Sequence, residues 1–272
     1  MDYLRPASLD QALTAVAGGA RVLAGGTDLY PGAGARLPGP WVDLVTVPGM
    51  AGIASGPQGL RIGACTTWSE IAAADLPPAA RGLQQAALQV GGRQVQNAGT
   101  IAGNLCNASP AADGVAPLLV LDAEVEIASA AGSRRLALHQ FILGPRKVAL
   151  HPGEVVLALH LPQSGLVGRS AFEKLGARAH LVISIVSVAV RLEVADRRIT
   201  AAAVAVGSCS PVARRLPDVE AALIGPVDQA TRRVDPAAVA AALAPIDDVR
   251  ATAAYRQHAA AALVLRAVEG AL

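Results

Sequence analysis

The chain has 272 residues, of which 53% are hydrophobic, 16% charged and 3% aromatic, and its formal net charge is +2. This composition excludes an intrinsically disordered chain, because disorder requires fewer apolar and more charged residues. The near-neutral charge and the low aromatic content also argue against nucleic-acid binding, which uses basic patches and aromatic stacking surfaces.

No membrane span and no secretory signal are predicted. The longest strongly apolar run, residues 181–190, is much shorter than the roughly 20 residues of a transmembrane helix. Residues 1–6 contain no basic stretch that leads into an apolar core. Cys65, Cys106 and Cys209 are widely spaced and odd in number, which fits reduced thiols. We therefore predict a cytoplasmic protein. An ordinary iron–sulfur cluster needs four thiolates and this chain has three cysteines, so any such cluster would belong to a partner.

The first part of the chain alternates helices and strands. A helix is predicted between the Ser8 cap and the Gly18-Gly19 pair. Strands are predicted at residues 21–24, where the strand is short and buried, and at 41–45, 60–64 and 124–128, with a Gly/Pro-rich turn over 48–59. Further helices are predicted at residues 71–74 behind a Thr67-Glu70 capping box, at 81–90, and from the Ser109 cap toward Val120.

The sequence changes character after about residue 165, which predicts a second domain. Residues 181–194 and 199–206 have the apolar pattern of two strands, joined by a hairpin turn over 195–198. Helices are predicted at 218–223, at 236–243 and from 249 toward 268, with Asp247 as cap of the last one. An Asp247–Arg250 pair is expected to brace the C-terminal domain.

Two glycine-rich segments are candidates for phosphate binding. The first glycine segment is Ala24-Gly25-Gly26-Thr27-Asp28, and the second glycine segment is Thr100-Ile101-Ala102-Gly103-Asn104. Glycine permits close backbone approach, so that successive N–H groups can converge on anionic oxygens. Neither segment matches a P-loop or the dinucleotide fingerprint, and tight turns are the alternative interpretation. After the second segment, Asp113 can cap a helix, orient a ligand hydroxyl, or do both.

No catalytic residue and no metal site are predicted. The five histidines have no metal-ligand spacing, and the chain has no Gly-x-Ser-x-Gly elbow. Cys106 has no histidine near it in sequence, so we interpret it as a small buried thiol and not as a nucleophile.

Five segments of the chain resemble one known family. They are residues 24–29, 90–113 and 245–256, together with Gly63-Ala64-Cys65-Thr66-Thr67-Trp68 and Phe172-Glu173-Lys174-Leu175-Gly176. The known family is the FAD-binding medium subunit of the xanthine dehydrogenase and carbon monoxide dehydrogenase family of molybdenum hydroxylases. The resemblance implies an α+β fold with a two-lobed FAD-binding domain like that of vanillyl-alcohol oxidase. A C-terminal domain of antiparallel sheet and helices would follow. The implied domains are residues 1–165, with lobes at about 1–55 and 56–165, and residues 166–272.

The resemblance also implies roles for individual residues. The family's two diphosphate loops correspond to the first and second glycine segments, and Asp113 matches an acid that contacts the sugar side of the flavin. Lys174 matches a position near the isoalloxazine, and an ion pair with a neighbouring acid is its alternative role. Some relatives have an aromatic residue at the position of Val90 or within residues 144–147, and this chain has none there.

The function implied by the resemblance is electron transfer through FAD. A large molybdopterin-binding subunit would oxidise the substrate, a small subunit would relay electrons through [2Fe-2S] clusters, and this chain would pass them to an external acceptor. One alternative is a self-sufficient FAD-dependent oxidase or reductase on the same fold. Another is a scaffold subunit that has lost its cofactor. The substrate and the acceptor, whether NAD, oxygen, a quinone or a cytochrome, are not specified by the sequence.

Overall fold

The computed structural model describes residues 3–34 and 37–272. The helices are α1 (Leu9–Ala17), α2 (Trp68–Ala73), α3 (Arg81–Ala87), α4 (Arg93–Ala98), α5 (Ile101–Asn107), α6 (Val115–Val120), α7 (Leu138–Phe141), α8 (Pro217–Leu223), α9 (Pro236–Ala241) and α10 (Ala253–Ala271). The strands are β1 (Tyr3–Leu4), β2 (Arg21–Leu23), β3 (Trp41–Asp43), β4 (Ile53–Gly56), β5 (Gly59–Gly63), β6 (Glu124–Ser129), β7 (Gly132–Ala137), β8 (Ile142–Gly144), β9 (Lys147–Val148), β10 (Val155–Pro162), β11 (Arg169–Leu175), β12 (Val186–Ala195), β13 (Arg198–Gly207), β14 (Arg214–Arg215) and β15 (Gly225–Pro226). None of the helices within these described ranges is long and apolar enough to cross a membrane.

The N-terminal part is a small parallel sheet of order β1-β3-β2 with α1 packed beside it. The predicted first helix is confirmed, because the Ser8 side chain caps α1 by accepting the N–H of Gln11. The strand at 21–24 is also present, but the expectation that it is buried is wrong. Arg21 and Val22 are exposed because β2 is an edge strand of the sheet.

The middle of the chain forms an antiparallel sheet of order β4-β5-β10-β6-β7. The Thr67-Glu70 capping box at the start of α2 is confirmed. The predicted turn over 48–59 is wrong in part, since it contains β4, which forms a hairpin with β5. Gly and Pro residues there mark the ends of the hairpin and not one continuous turn.

The helix predicted from Ser109 toward Val120 is only partly present. The hydroxyl of Ser109 accepts the N–H of Ala111 within a turn, and α6 begins only at Val115. The preceding α5 ends at Asn107, because the next residue, Ala108, has a φ of 44° in the left-handed region and breaks the helical path. The predicted helix over 81–90 also ends early, at Ala87.

The C-terminal part is an antiparallel sheet of order β11-β12-β13-β14, with β15 paired to β13. The predicted hairpin turn is confirmed between β12 and β13, where Asp196 and Arg197 have φ values of 48° and 58°. Helix α10 packs against β11 and β12, while α3 and α6 lie against the same sheet from the first part of the chain.

Alternation along β12 explains why this strand is apolar on both faces. Ala189 belongs to the hydrophobic cluster that includes the first two sheets, whereas Val188 and Val190 belong to the cluster that includes α10. Successive strand residues point to opposite faces, so one strand takes part in both clusters. The division of the chain at about residue 165 stays a prediction.

The start of α10 differs from the prediction. The carboxylate of Asp248 accepts the N–H groups of Arg250 and Ala251 at 2.7 and 3.3 Å, which closes a turn before the helix. Arg250 pairs with Asp248 at 2.9 Å, so the expected Asp247–Arg250 pair is wrong. Thr252 caps α10, and Asp247 accepts the N–H of its first residue, Ala253, at 2.5 Å.

Candidate functional site

A cleft of about 930 Å³ runs between β2, the start of α5 and the loop before β12. Most of the residues that the sequence singled out line it, namely Ala24, Gly25, Gly26, Thr27, Asp28, Thr100, Ala102, Gly103, Asn104 and Asp113. Ile101 and Lys174 are not on its wall. The fold therefore brings both glycine segments and Asp113 to one place, although more than 70 residues separate the first segment from the second.

The first glycine segment follows the end of β2 and lies directly against Ala98 and Gly99, at the end of α4 and just before the second segment. A Cβ atom on Gly25 would lie 1.9 Å from the carbonyl oxygen of Ala98. Gly26 has a φ of +69°, and a Cβ atom there would lie 2.3 Å from the ring of Tyr30. Both positions therefore favour glycine. Gly25 does so because another backbone approaches it closely, and Gly26 because of its left-handed conformation and the neighbouring Tyr30 ring.

The N–H groups of the first segment are available to a ligand. The N–H groups of residues 25–28 donate to no acceptor within residues 3–34 and 37–272. The segment is held instead through a carbonyl, since that of Gly26 accepts the N–H of Tyr30 at 2.9 Å. The segment is partly exposed, so water or a ligand can reach it. Unpaired amides at a concave wall are suited to anionic oxygens.

The second glycine segment uses four of its five N–H groups inside the protein. Its four N–H bonds are Ile101 to Thr66 O (3.0 Å), Ala102 to Ala64 O (3.1 Å), Gly103 to Thr100 Oγ1 (3.2 Å) and Asn104 to Thr100 O (3.1 Å). What it presents to the cleft is the side chain of Asn104, whose Oδ1 is buried with no hydrogen-bond partner among the described residues. The Ile101 side chain is fully buried in the core.

Asp113 is held by two residues from the C-terminal part. Its Oδ2 accepts from Lys174 Nζ at 2.6 Å, and its Oδ1 accepts from the Ser184 hydroxyl. Lys174 also donates to the carbonyl of Gln89 at 3.1 Å. Burial raises the pKa of the Asp113 carboxyl, and the Lys174 ammonium and the Ser184 hydroxyl oppose that rise. The ion pair considered as the alternative role of Lys174 is thus present.

Apolar side chains form another part of the cleft wall. Leu181, Val182 and Ile183 line it together with Val90, and the loop that contains Arg146 contributes a cation. The sequence did not identify residues 181–183 as a wall, because their apolar run was assigned entirely to the strand that starts only at Val186.

Cys106 corrects another expectation. The residue is exposed on the cleft wall and not buried. It lies near the end of the short helix α5, whose opposite side packs into the core through Ile101 and Leu105. No group of three or more His, Cys, Asp or Glu within residues 3–34 and 37–272 is arranged to hold a metal ion.

Comparison with known proteins assigns both parts of the chain. A family model described as the FAD binding domain in molybdopterin dehydrogenase matches residues 1–164, and one described as the CO dehydrogenase flavoprotein C-terminal domain matches residues 170–271. The xanthine dehydrogenase FAD-binding subunit of Escherichia coli O157:H7 is 30% identical, with 94% of this chain and 90% of that protein covered. The carbon monoxide dehydrogenase medium chain of Afipia carboxidovorans is 30% identical, with 98% and 95% covered.

The fold agrees with a solved relative. Carbon monoxide dehydrogenase from Hydrogenophaga pseudoflava superposes with a TM-score of 0.89 at 26% identity, over all of this chain and 96% of the matched chain. The predicted α+β fold, with an FAD-binding domain followed by antiparallel sheet and helix, is confirmed.

Proposed function

The chain belongs to the family of FAD-binding medium subunits of xanthine and carbon monoxide dehydrogenases, and from this premise we propose that it is an electron-transfer subunit. In the proposal, a large molybdopterin-binding subunit oxidises the substrate. Electrons then pass through [2Fe-2S] clusters of a small subunit to FAD on this chain, and from there to an external acceptor. Its class as a flavoprotein subunit of an oxidoreductase follows from the family.

The observation that carries the proposal is the meeting of the two glycine segments at one cleft. Free amides on residues 25–28 and the unpartnered Oδ1 of Asn104 are the uncharged polar groups that a nucleotide's diphosphate and sugar need. A cleft of about 930 Å³ is also large enough for a dinucleotide. The residues present therefore fit FAD.

When bound, FAD supplies reversible electron transfer between one-electron and two-electron partners. The chain's own residues then have binding and orienting tasks. The amides of Gly25, Gly26 and Thr27 would hold diphosphate oxygens, and the Asp113 carboxylate, fixed by Lys174 and Ser184, would accept a hydrogen bond from a sugar hydroxyl. The apolar residues 181–183 would exclude water from the part of the cleft that they line.

The composition of the cleft wall favours electron transfer over a self-sufficient oxidase or reductase. No His or Tyr is among the described residues that line it. Of its acids, Asp113 is paired with Lys174 and Glu154 with Arg134, while Asp28 belongs to the segment proposed for the diphosphate. A substrate-oxidising flavoenzyme needs a positioned proton donor or acceptor. The chain's own groups are thus suited to holding a cofactor.

Exposed apolar side chains support the proposed partner subunits. Ile246, Val249 and Tyr255 are 69%, 99% and 50% exposed, in or beside the turn before α10. Clusters of exposed apolar residues mark interaction surfaces. We further propose a cytoplasmic location, which fits the three free thiols.

The decisive experiment compares the chain alone with the complex. The chain is purified alone and with the products of its neighbouring genes, and flavin absorbance is recorded before and after addition of FAD. We expect both samples to bind FAD, and only the complex to reduce it when the substrate of the large subunit is added. A chain that binds no FAD contradicts the proposal, and a chain that oxidises substrates alone favours the self-sufficient enzyme.

The scaffold alternative has its own test. In the complex, Gly103→Trp places a bulky side chain at a position where even an added Cβ atom would lie only 2.8 Å from Thr100 Oγ1. We expect this variant to lose FAD and electron transfer to the acceptor. Unchanged electron transfer would favour a scaffold subunit without cofactor.

A further inference from the structure

One stretch of the cleft wall has no role in the function proposed so far. It is formed by Arg21 and Trp41, neighbouring residues on the parallel strands β2 and β3. Cross-strand partners place their side chains on the same face of a sheet. The guanidinium carbon of Arg21 lies 4.4 Å from the centroid of the Trp41 ring, within the range of a cation–π contact.

From this arrangement, and resting on the proposed function, we propose that Arg21, held over Trp41, is the stacking surface for the adenine of FAD and makes the chain select FAD over FMN. Trp41 is only 2% exposed, so it lies behind Arg21 and positions it. Arg21 is exposed and makes no ion pair with a residue of the described ranges 3–34 and 37–272. Its planar group is therefore accessible to a flat π-system.

The position of Arg21 along the cleft indicates which end of the dinucleotide it meets. Asp113 and the apolar residues 181–183 line the part of the cleft that we assign to the flavin and its sugar chain. The first glycine segment, proposed for the diphosphate, follows β2 directly. At the rise of an extended strand, the backbone distance from Arg21 to Ala24, the first residue of that segment, is about 10 Å. The remaining half of FAD beyond the diphosphate is the adenosine, so adenine falls toward Arg21.

The chemistry of the pair favours a purine ring over a phosphate. A guanidinium can stack on an aromatic ring with each of its two faces, as arginine does with nucleic-acid bases. One face of Arg21 is directed to Trp41, which restricts the side chain before any ligand binds. The indole Nε1 of Trp41 is also buried without a partner among the described residues, a polar group unsatisfied on this same wall.

The test uses the two natural flavin nucleotides, because FMN lacks the adenylate half of FAD. Apo-protein is prepared as wild type, Arg21→Ala, Arg21→Lys and Arg93→Ala, and the Kd values for FAD and FMN are measured by fluorescence titration. Arg93 is exposed on α4 and lies off the cleft wall, so Arg93→Ala is the matched control. Thermal unfolding of each apo-variant checks that the fold is intact.

We expect Arg21→Ala to weaken FAD binding by about tenfold, the effect of a desolvated cation–π contact, while FMN binding and the control stay unchanged. Arg21→Lys should weaken FAD binding as well, because an ammonium lacks the planar group that stacks on adenine. ADP should compete with FAD in the wild type and much less in Arg21→Ala. The inference is overturned if Arg21→Ala binds FAD with normal affinity, or if its affinity for FMN falls by the same factor as its affinity for FAD. Normal FAD binding by Arg21→Lys also overturns it, since that result indicates a charge contact with phosphate. A wild-type chain that binds neither flavin overturns the proposed function itself, which separates the two failures.

Discussion

The two glycine segments have similar composition but offer different groups to the cleft. The first follows an edge strand, and the N–H groups of residues 25–28 have no acceptor within the described parts of the chain. The second begins a helix capped by Thr100, and its N–H groups donate to Ala64, Thr66 and Thr100. It contributes the amide side chain of Asn104 instead. Glycine content alone therefore does not tell whether backbone or side chain meets a ligand.

The largest effect is expected where the first segment touches the end of α4. In Gly25→Val the new Cβ would lie 1.9 Å from the carbonyl oxygen of Ala98, so the first segment must move away from α4 and from the second segment that follows it. We expect the free energy of unfolding to fall by about 1–3 kcal/mol, and FAD binding to be lost, as measured by urea unfolding and by flavin content. Gly32→Ala is the control, because a Cβ there would meet only ordinary contacts at 3.7 and 3.8 Å. Normal flavin content in Gly25→Val would show that the contact between Gly25 and Ala98 does not shape the site.

The next effect tests the side chain of the second segment. Asn104→Asp places a carboxylate where the proposal puts the nucleotide, and Asn104→Ala removes one hydrogen-bonding group worth about 0.5–1.5 kcal/mol. We expect the Kd for FAD to rise about threefold to tenfold in Asn104→Ala and further in Asn104→Asp. Asn97→Asp, an exposed residue off the cleft wall, is the control. Equal affinity in wild type and Asn104→Asp would contradict the assignment of Asn104.

A third variant separates stability from binding in the same segment. Thr100→Ala removes the hydroxyl that caps α5 by accepting the N–H of Gly103. We expect a loss of about 1 kcal/mol in the free energy of unfolding of the apo-protein, with a smaller change in FAD affinity than in Asn104→Asp. Thr100→Ser should restore the stability. If Thr100→Ala instead weakens FAD more than Asn104→Asp does, the amides of this segment contact the cofactor after all.

The smallest effect concerns Glu154, an acid on another part of the cleft wall. Hydrogen bonds from Arg134 lower the pKa of Glu154 from 4.5 to about 2. A lowered pKa in the folded state means that the carboxylate stabilises the fold above pH 4.5 and loses this contribution as the pH falls toward 2.

We therefore expect the unfolding midpoint of Glu154→Gln to fall less steeply than that of the wild type over this acidic range, in thermal unfolding of apo-protein. Glu269→Gln, at an exposed position near the C-terminus, is the control and should follow the wild type. Identical pH profiles for Glu154→Gln and the wild type would contradict the role of the Arg134 pair.

Sequence patterns predicted the regular elements well where local signals determine them. The Thr67-Glu70 capping box and the β12–β13 turn are such cases, since the capping bonds and the left-handed residues lie within a few positions of each other. The sequence patterns failed where contacts between residues far apart in the chain determine the local conformation. Asp113 has the position of a first-turn acid, but Lys174 and Ser184 hold it in a turn before α6.

The site was predicted in part for the same reason. Both glycine segments could be found from composition, but the engagement of the second segment's amides by Ala64 and Thr66 depends on tertiary packing. The wall formed by Arg21 and Trp41 needs the pairing of β2 with β3, which no local pattern encodes.

The ion pair between Asp113 and Lys174 has a consequence for how the chain matures. Asp113 precedes α6, and Lys174 lies in the first strand of the C-terminal sheet, so a ligand that orders this pair strengthens the joint between the two parts of the chain. By mass action, a ligand at 100 times its Kd adds about 2.7 kcal/mol to the folded state. We expect newly made chains to be most sensitive to proteases before they are loaded, so that flavin supply would govern how much subunit survives to be assembled.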